Sequence, residues 1–228
     1  MSIMRQYNKK AFRQVWSRTR TATTIVNGDM EFIKTPDLAT NFLVAGEVAA
    51  GGTFRIQYFS LSHPADWFYQ SNVATAGANI EFRGIATDGR VLFVATRDTS
   101  SNNDQIRQYD LNAGIQISNN GMGNRNFKGC CWDGARLWCI SNNGTRIDEN
   151  VRGANGKRFR RIRAINISQT LNSICFDGMF FYGVDTNGNL HQYNKDFVAP
   201  IRSSGFVGLG AKNGVMTDSR DLFTWEPH

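Results

Sequence analysis

Apolar residues fall in short runs along the whole chain, each bounded by clusters of Gly, Asn, Asp and Ser. That pattern predicts short β-strands joined by tight turns, because a helix needs an apolar stripe repeating near every 3.6 residues. One arrangement recurs. Phe82 to Val94 carries an apolar run, Asp88-Gly89, and a second apolar run; Phe127 to Cys139 repeats it around Asp133-Gly134, and Leu171 to Gly183 around Asp177-Gly178. A fourth copy, Lys212 to Thr224, has Asp218-Ser219 at the turn. The four aspartates are spaced by 45, 44 and 41 residues, and Gly84, Gly129, Ser173 and Gly214 each stand four positions earlier. Asp followed by Gly between two apolar runs predicts strand, turn, strand. A weaker fifth copy, Phe32 to Asp37 followed by Phe42, lies 51 residues before Asp88 and contains Pro36.

A third strand is expected after each hairpin, marked by Gln57-Tyr58, Gln108-Tyr109 and Gln192-Tyr193. In the unit of Asp133 the corresponding strand is expected at Ile162 to Asn166, with Ile165 in the tyrosine's place and a long Asn- and Gly-rich hairpin over Asn142 to Lys157 before it. Met4 to Lys9 matches Leu190 to Lys195 closely, yet no hairpin precedes it, while the Asp218 copy reaches His228 without a Gln-Tyr strand. The two fragments complete one another. The N-terminal segment is expected to supply outer strands to a unit whose inner strands come from the C-terminus, latching a ring of repeats.

These repeats resemble those of β-propeller proteins over nearly the whole chain, with about 46 residues per unit. The resemblance implies an all-β fold: a single five-bladed β-propeller spanning 1–228, its last blade closed by N-terminal strands pairing with C-terminal strands. Blade hairpins are expected near 32–45, 82–96, 127–141, 171–185 and 212–225, with 1–27 as a basic segment giving the outer strands of the closing blade. In size and blade count the chain is similar to compact five-bladed lectin propellers, although no binding-residue motif of theirs is matched. At the level of fold it also looks like propeller modules of bacteriophage tails and virions.

Charge adds a location. The net charge is +7, but residues 1–27 hold six basic residues and no acid, and residues 152–163 hold another six and no acid. Local basicity of this kind points to a surface contact. The expected docking surface comprises Arg5, Lys9, Lys10, Arg13, Lys157, Arg158, Arg160, Arg161 and Arg163. Nucleic acid is a less favoured partner than an acidic protein subunit. No apolar stretch approaches the roughly 20 residues of a membrane span, and Met1 to Lys10 lacks the apolar core of a secretory signal, so a protein that is not Sec-exported is expected.

Catalytic chemistry has little support in the pattern. Asp88, Asp133, Asp177 and Asp218 are read as turn residues, since each unit repeats the same acid at the same place, whereas paired-carboxylate catalysis needs unlike acids converging. His63, His191 and His228 assemble no nucleophile, base and orienting acid, and His191 is expected on an exposed strand position. Cys130, Cys131, Cys139 and Cys175 have no zinc spacing and are read as buried free thiols. No nucleotide-binding glycine motif precedes a helix. We therefore expect no catalytic residues, no metal and no cofactor, and not an enzyme. The expected function is a structural or attachment module of a bacteriophage virion, made in the host cytoplasm, docking on other virion proteins and contacting a host receptor. The alternative is a lectin with one shallow glycan site per blade, built on the Gln-Tyr pairs.

Overall fold

A computed structural model describes residues 2–8, 13–20, 30–33, 42–49, 53–60, 67–75, 79–111, 113, 115–204, 214–217 and 221–226, with side chains described from 79 to 204 and at Gly214 and Val215. Its strands are β1 (Ser2–Asn8), β2 (Arg13–Arg20), β3 (Met30–Ile33), β4 (Phe42–Ala49), β5 (Thr53–Ser60), β6 (Trp67–Thr75), β7 (Ile80–Thr87), β8 (Val91–Asp98), β9 (Asn103–Asp110), β10 (Gln116–Gly123), β11 (Cys130–Trp132), β12 (Arg136–Ser141), β13 (Arg146–Arg152), β14 (Phe159–Asn166), β15 (Leu171–Phe176), β16 (Phe181–Asp185), β17 (Leu190–Tyr193), β18 (Arg202–Ser203), β19 (Gly214–Thr217) and β20 (Asp221–Glu226). The fold is all-β. Among the described residues no helix is long and apolar enough to cross a membrane.

The strands form sheets of four antiparallel strands. Four sheets follow chain order, β3 to β6, β7 to β10, β11 to β14 and β15 to β18, and the fifth runs β19-β20-β1-β2. In that last sheet Tyr7 lies opposite Leu222 and Asn8 opposite Asp221. The first strands of the sheets touch in a cycle: β3 with β7, β7 with β11, β11 with β15, β15 with β19, and β19 with β3.

In the three sheets whose side chains are described, β7–β10, β11–β14 and β15–β18, the inner strands bury both faces, because successive strand residues point to opposite sides and apolar residues occupy both. Cys130 and Cys131 illustrate this. Cys130 packs with Phe93, Ile106, Phe127 and Leu137 against the β7–β10 sheet, whereas Cys131 packs with Trp138, Ile147, Phe181 and Tyr193 against the β15–β18 sheet. Cys175, Tyr182, Val184 and Leu190 continue the packing toward Val215 of β19. All four cysteines are buried free thiols.

Three turns share one geometry. Oδ1 of Asp88 accepts the backbone N–H groups of Arg90 and Val91 at 2.9 and 2.7 Å; Asp133 does the same for Ala135 and Arg136 at 2.9 and 2.7 Å, and Asp177 for Met179 and Phe180 at 2.8 and 2.7 Å. The following glycines, Gly89, Gly134 and Gly178, sit at φ of 91°, 97° and 98°, where a side chain is strained. The other oxygen reaches outward: Arg152 Nη1 donates to Asp88 Oδ2 at 3.1 Å and Lys195 Nζ to Asp133 Oδ2 at 3.2 Å, each from the next sheet. Asp218 lies outside the described residues.

The third strand of the Asp133 unit departs from expectation. It is β13, not Ile162 to Asn166, which belongs to the fourth strand β14; the connection Gly153 to Arg158 is short. The register explains the difference. Leu137 faces Asn150 and Trp138 faces Glu149, as Leu92 faces Tyr109 and Phe93 faces Gln108, so Glu149-Asn150 takes the Gln-Tyr place.

Because Asp133 closes its turn, accepts Trp138 Nε1 at 2.9 Å and meets Lys195, Asp133→Ala removes several bonds at once. We expect it to destabilise the fold by about 1–3 kcal/mol in urea unfolding, the scale of unsatisfied buried donors. A change under about 0.5 kcal/mol would show the turn bonds to be dispensable.

Candidate functional site

The basic strand is the edge of its sheet. β14 pairs with β13, and Phe159 turns inward to meet Phe93 edge-on at 5.4 Å, while Arg160, Arg161, Ile162 and Arg163 are exposed. A bulge changes where the arginines point. Arg161 lies opposite Asn150 and Arg163 opposite Glu149, so Ile162 is the extra residue. Two residues apart on a regular strand share a face; the bulge sends Arg161 and Arg163 to opposite faces.

Each then meets a buried acid of β13. Asp148, fully buried, receives Arg146 Nε at 3.0 Å, Arg125 Nη1 at 3.2 Å and Arg161 Nη1 at 3.4 Å. On the other face Glu149 receives Arg163 Nε at 2.7 Å and also pairs with Arg136. Arg163 further donates to the Lys195 carbonyl at 2.9 Å and lies over the Trp138 ring. A third buried acid, Asp104, takes Arg97 Nη1 at 3.1 Å and the N–H groups of Arg125, Asn126 and Phe127 at 2.7, 2.8 and 3.2 Å. Arg125, Arg146, Asp148 and Glu149 were not singled out in the sequence. The last three lie together in Arg146-Ile147-Asp148-Glu149, a charged stretch with no apolar run, while nothing near Arg125 marks it.

The remaining cations of that segment divide. Arg152 is paired with Asp88, whereas Lys157, Arg158 and Arg160 are exposed and have no ion pair among the described residues. Arg5 lies in β1 and Arg13 in β2, with side chains outside the description, and Lys9 and Lys10 lie outside the described residues. The turn aspartates Asp88, Asp133 and Asp177 are committed to the structure as set out above.

Two other expectations change. His191 is buried, not exposed: Nε2 lies 3.0 Å from Asp185 Oδ2 and Nδ1 lies 2.8 Å from Ser203 Oγ. An acid, a base and a hydroxyl therefore do stand in line, contrary to the sequence reading. They also hold the structure together. Asp185 caps the turn to β17 by accepting the N–H groups of Asn187 and Asn189, and His191 and Ser203 face each other across β17 and β18. Tyr109 and Tyr193 are buried and donate to Gln116 at 3.2 Å and Gln169 at 2.9 Å, so neither ring is a stacking platform for a sugar. Burial, with the charge of Asp185, pushes the Tyr193 hydroxyl well above its ordinary range. No group of three or more His, Cys, Asp and Glu among the described residues is arranged to hold a metal ion.

No protein-family model matches the chain, and no curated protein matches its sequence. Solved structures do resemble the fold. Glutaminyl cyclase from Myxococcus xanthus aligns with a TM-score of 0.65 at 12% identity, over 99% of this chain and 95% of that one. A chain in the Nidogen/Laminin complex aligns with a TM-score of 0.54 at 15% identity, over 98% of this chain and 85% of that one. A chain of the Mitotic Checkpoint Complex aligns with a TM-score of 0.55 at 13% identity over 85% of this chain, which spans 57% of that one. Likeness at such identities is one of fold, and the fold is that of β-propeller proteins.

Asp133 gives the structure a pH dependence. Burial raises its pKa, but bonds from Trp138, Ala135, Arg136 and Lys195 together outweigh this and hold it below the ordinary 3.8. A carboxylate depressed in the folded state stabilises above its unfolded value and loses that contribution as pH falls through the folded one. We expect the stability gap between the wild type and Asp133→Asn to be full at pH above about 5 and to narrow below 3.8. Urea unfolding measured across that range checks it; a gap that widens on acidification contradicts the assignment.

Proposed function

We propose that the chain is a non-catalytic docking module: a single five-bladed propeller over 1–228, closed by β1 and β2, whose basic edge at Lys157, Arg158 and Arg160 binds an acidic protein surface in a larger assembly. The cycle of first-strand contacts and the placement of β1 beside β20 support the ring. The observation that carries the docking reading is the division along the basic segment. Arg161 and Arg163 are held by buried acids, whereas three exposed cations within four residues meet no counter-charge among the described residues. Unneutralised like charges repel at low ionic strength, and an acidic partner relieves this and is drawn in by the field. Charge on an edge strand also deters strand-to-strand aggregation. That role alone needs no partner, so the two readings part on association. A virion is the setting proposed for this module, on the texture of the sequence.

In size fractionation of native extracts we expect the protein to travel with a large assembly and to be released by Lys157→Gln/Arg158→Gln/Arg160→Gln. Raising salt from about 0.1 to about 0.5 M should release the wild type too, since exposed charges act within a Debye length near 10 Å. A wild-type protein that runs free and monomeric at low salt overturns the docking reading.

The line Asp185–His191–Ser203 tests the non-catalytic part. A serine nucleophile needs, besides its base and an orienting acid, donors placed for the oxyanion that forms. Here Asp185 also caps the turn to β17 and Ser203 is the cross-strand neighbour of His191, so turn and strand pairing alone account for the alignment. We expect a fluorophosphonate probe to leave Ser203 unmodified by mass spectrometry. Labelling at Ser203 that His191→Gln abolishes would make the protein a hydrolase candidate.

A further inference from the structure

The arginines around Asp148 carry more charge than it neutralises. Three guanidinium groups meet one fully buried carboxylate, leaving two positive charges in excess around it. Arg125 is held at both ends: its backbone N–H binds Asp104 at 2.7 Å, its Nε donates to the Met122 carbonyl at 2.6 Å, and its Nη1 binds Asp148. Arg146 Nε is shared between Asp148 and Ser141 Oγ, both at 3.0 Å. Arg97 satisfies Asp104, so that acid does not offset the excess.

Five donor groups remain. Nη2 of Arg125, both terminal nitrogens of Arg146, and Nε and Nη2 of Arg161 donate to no protein atom among the described residues. None of the Arg125 and Arg146 nitrogens is buried without a partner, so these forks open to solvent. The three side chains come from separate places: the loop after β10, the start of β13, and the exposed strand β14.

We propose that Arg125, Arg146 and Arg161 form a binding site for a tetrahedral oxyanion, a sulfate or phosphate group. The excess of two positive charges matches a doubly charged anion. Forks arriving from three elements suit an ion with several oxygens pointing in different directions, whereas a carboxylate offers two in one plane. Asp148 acts here as a positioning residue: it holds the guanidinium groups together against their repulsion, so little side-chain ordering is left for binding. The proposal uses none of Lys157, Arg158 and Arg160 and stands apart from the docking reading.

Calorimetric titration with sodium sulfate, sodium phosphate and sodium acetate, at constant ionic strength, tests it. Expected is saturable binding of sulfate or phosphate but not acetate, weakened about tenfold by Arg161→Gln and lost in Arg125→Gln/Arg146→Gln. Arg161 is exposed, so its substitution keeps the test open if the double variant fails to fold. The triple glutamine variant at Lys157, Arg158 and Arg160 should bind as the wild type does. No saturable binding, equal binding of acetate, or equal weakening by that triple variant overturns the site, the last by showing only a general positive field. Glucosamine 6-sulfate and glucose 6-phosphate then separate the sources: an ester that binds more tightly than its inorganic anion names the carrier, and neither doing so assigns the free ion.

Discussion

Both faces of the inner strands are apolar in the three sheets from β7 to β18, and the need to cover them bears on the rest of the architecture. Leu137 and Trp138 are neighbours on β12, yet one belongs to the core against the preceding sheet and the other to the core against the following one. A sheet of this kind cannot end a stack without exposing a face to water, which costs about 25 cal/mol for each Å² of apolar surface. A row of such sheets is spared that cost when its ends meet. β19 touches both β15 and β3, the contacts on which the proposed ring rests.

This explains why the repeat was legible and where it was not. Asp88, Asp133 and Asp177 act locally: the side chain bonds N–H groups two and three residues ahead, and the next residue needs positive φ. Local chemistry of that sort is written in adjacent letters. β13 is the opposite case. Its Asp148, Glu149 and Asn150 are all buried, and polar runs read as loop because burying them alone is unfavourable. What makes its two acids tolerable comes mostly from elsewhere: Arg125, Arg136, Arg161 and Arg163 lie outside β13 and join Arg146, which opens that strand. The counter-charges were visible as letters, but their pairing was set by register and by the bulge at Ile162. His191 was misread for the same reason: its partners Asp185 and Ser203 are brought to it by a turn and by strand pairing.

Buried ion pairs of this sort do not by themselves make a sheet more stable. Removing two charges from water costs several kcal/mol per ion, and their attraction must repay it. What Asp148 and Glu149 supply is position. On opposite faces of one strand, they oblige Arg161 and Arg163 to diverge, and they tie β14 to the rest of its sheet through side chains as well as through the backbone ladder. An edge strand so held keeps its charges at defined places.

That separates two kinds of cation within a few residues. In the proposed docking role Lys157, Arg158 and Arg160 would act through a field that salt screens within about 10 Å, which favours approach more than exact fit. At Asp148, Arg125 and Arg146 are each held by two or more bonds, so in the proposed anion site their open donors would select by geometry. Net charge cannot tell these apart, since both kinds are written as the same basic letters. Only the buried acids on the neighbouring strand divide β14 and the turn before it into cations that are paired and cations that are not.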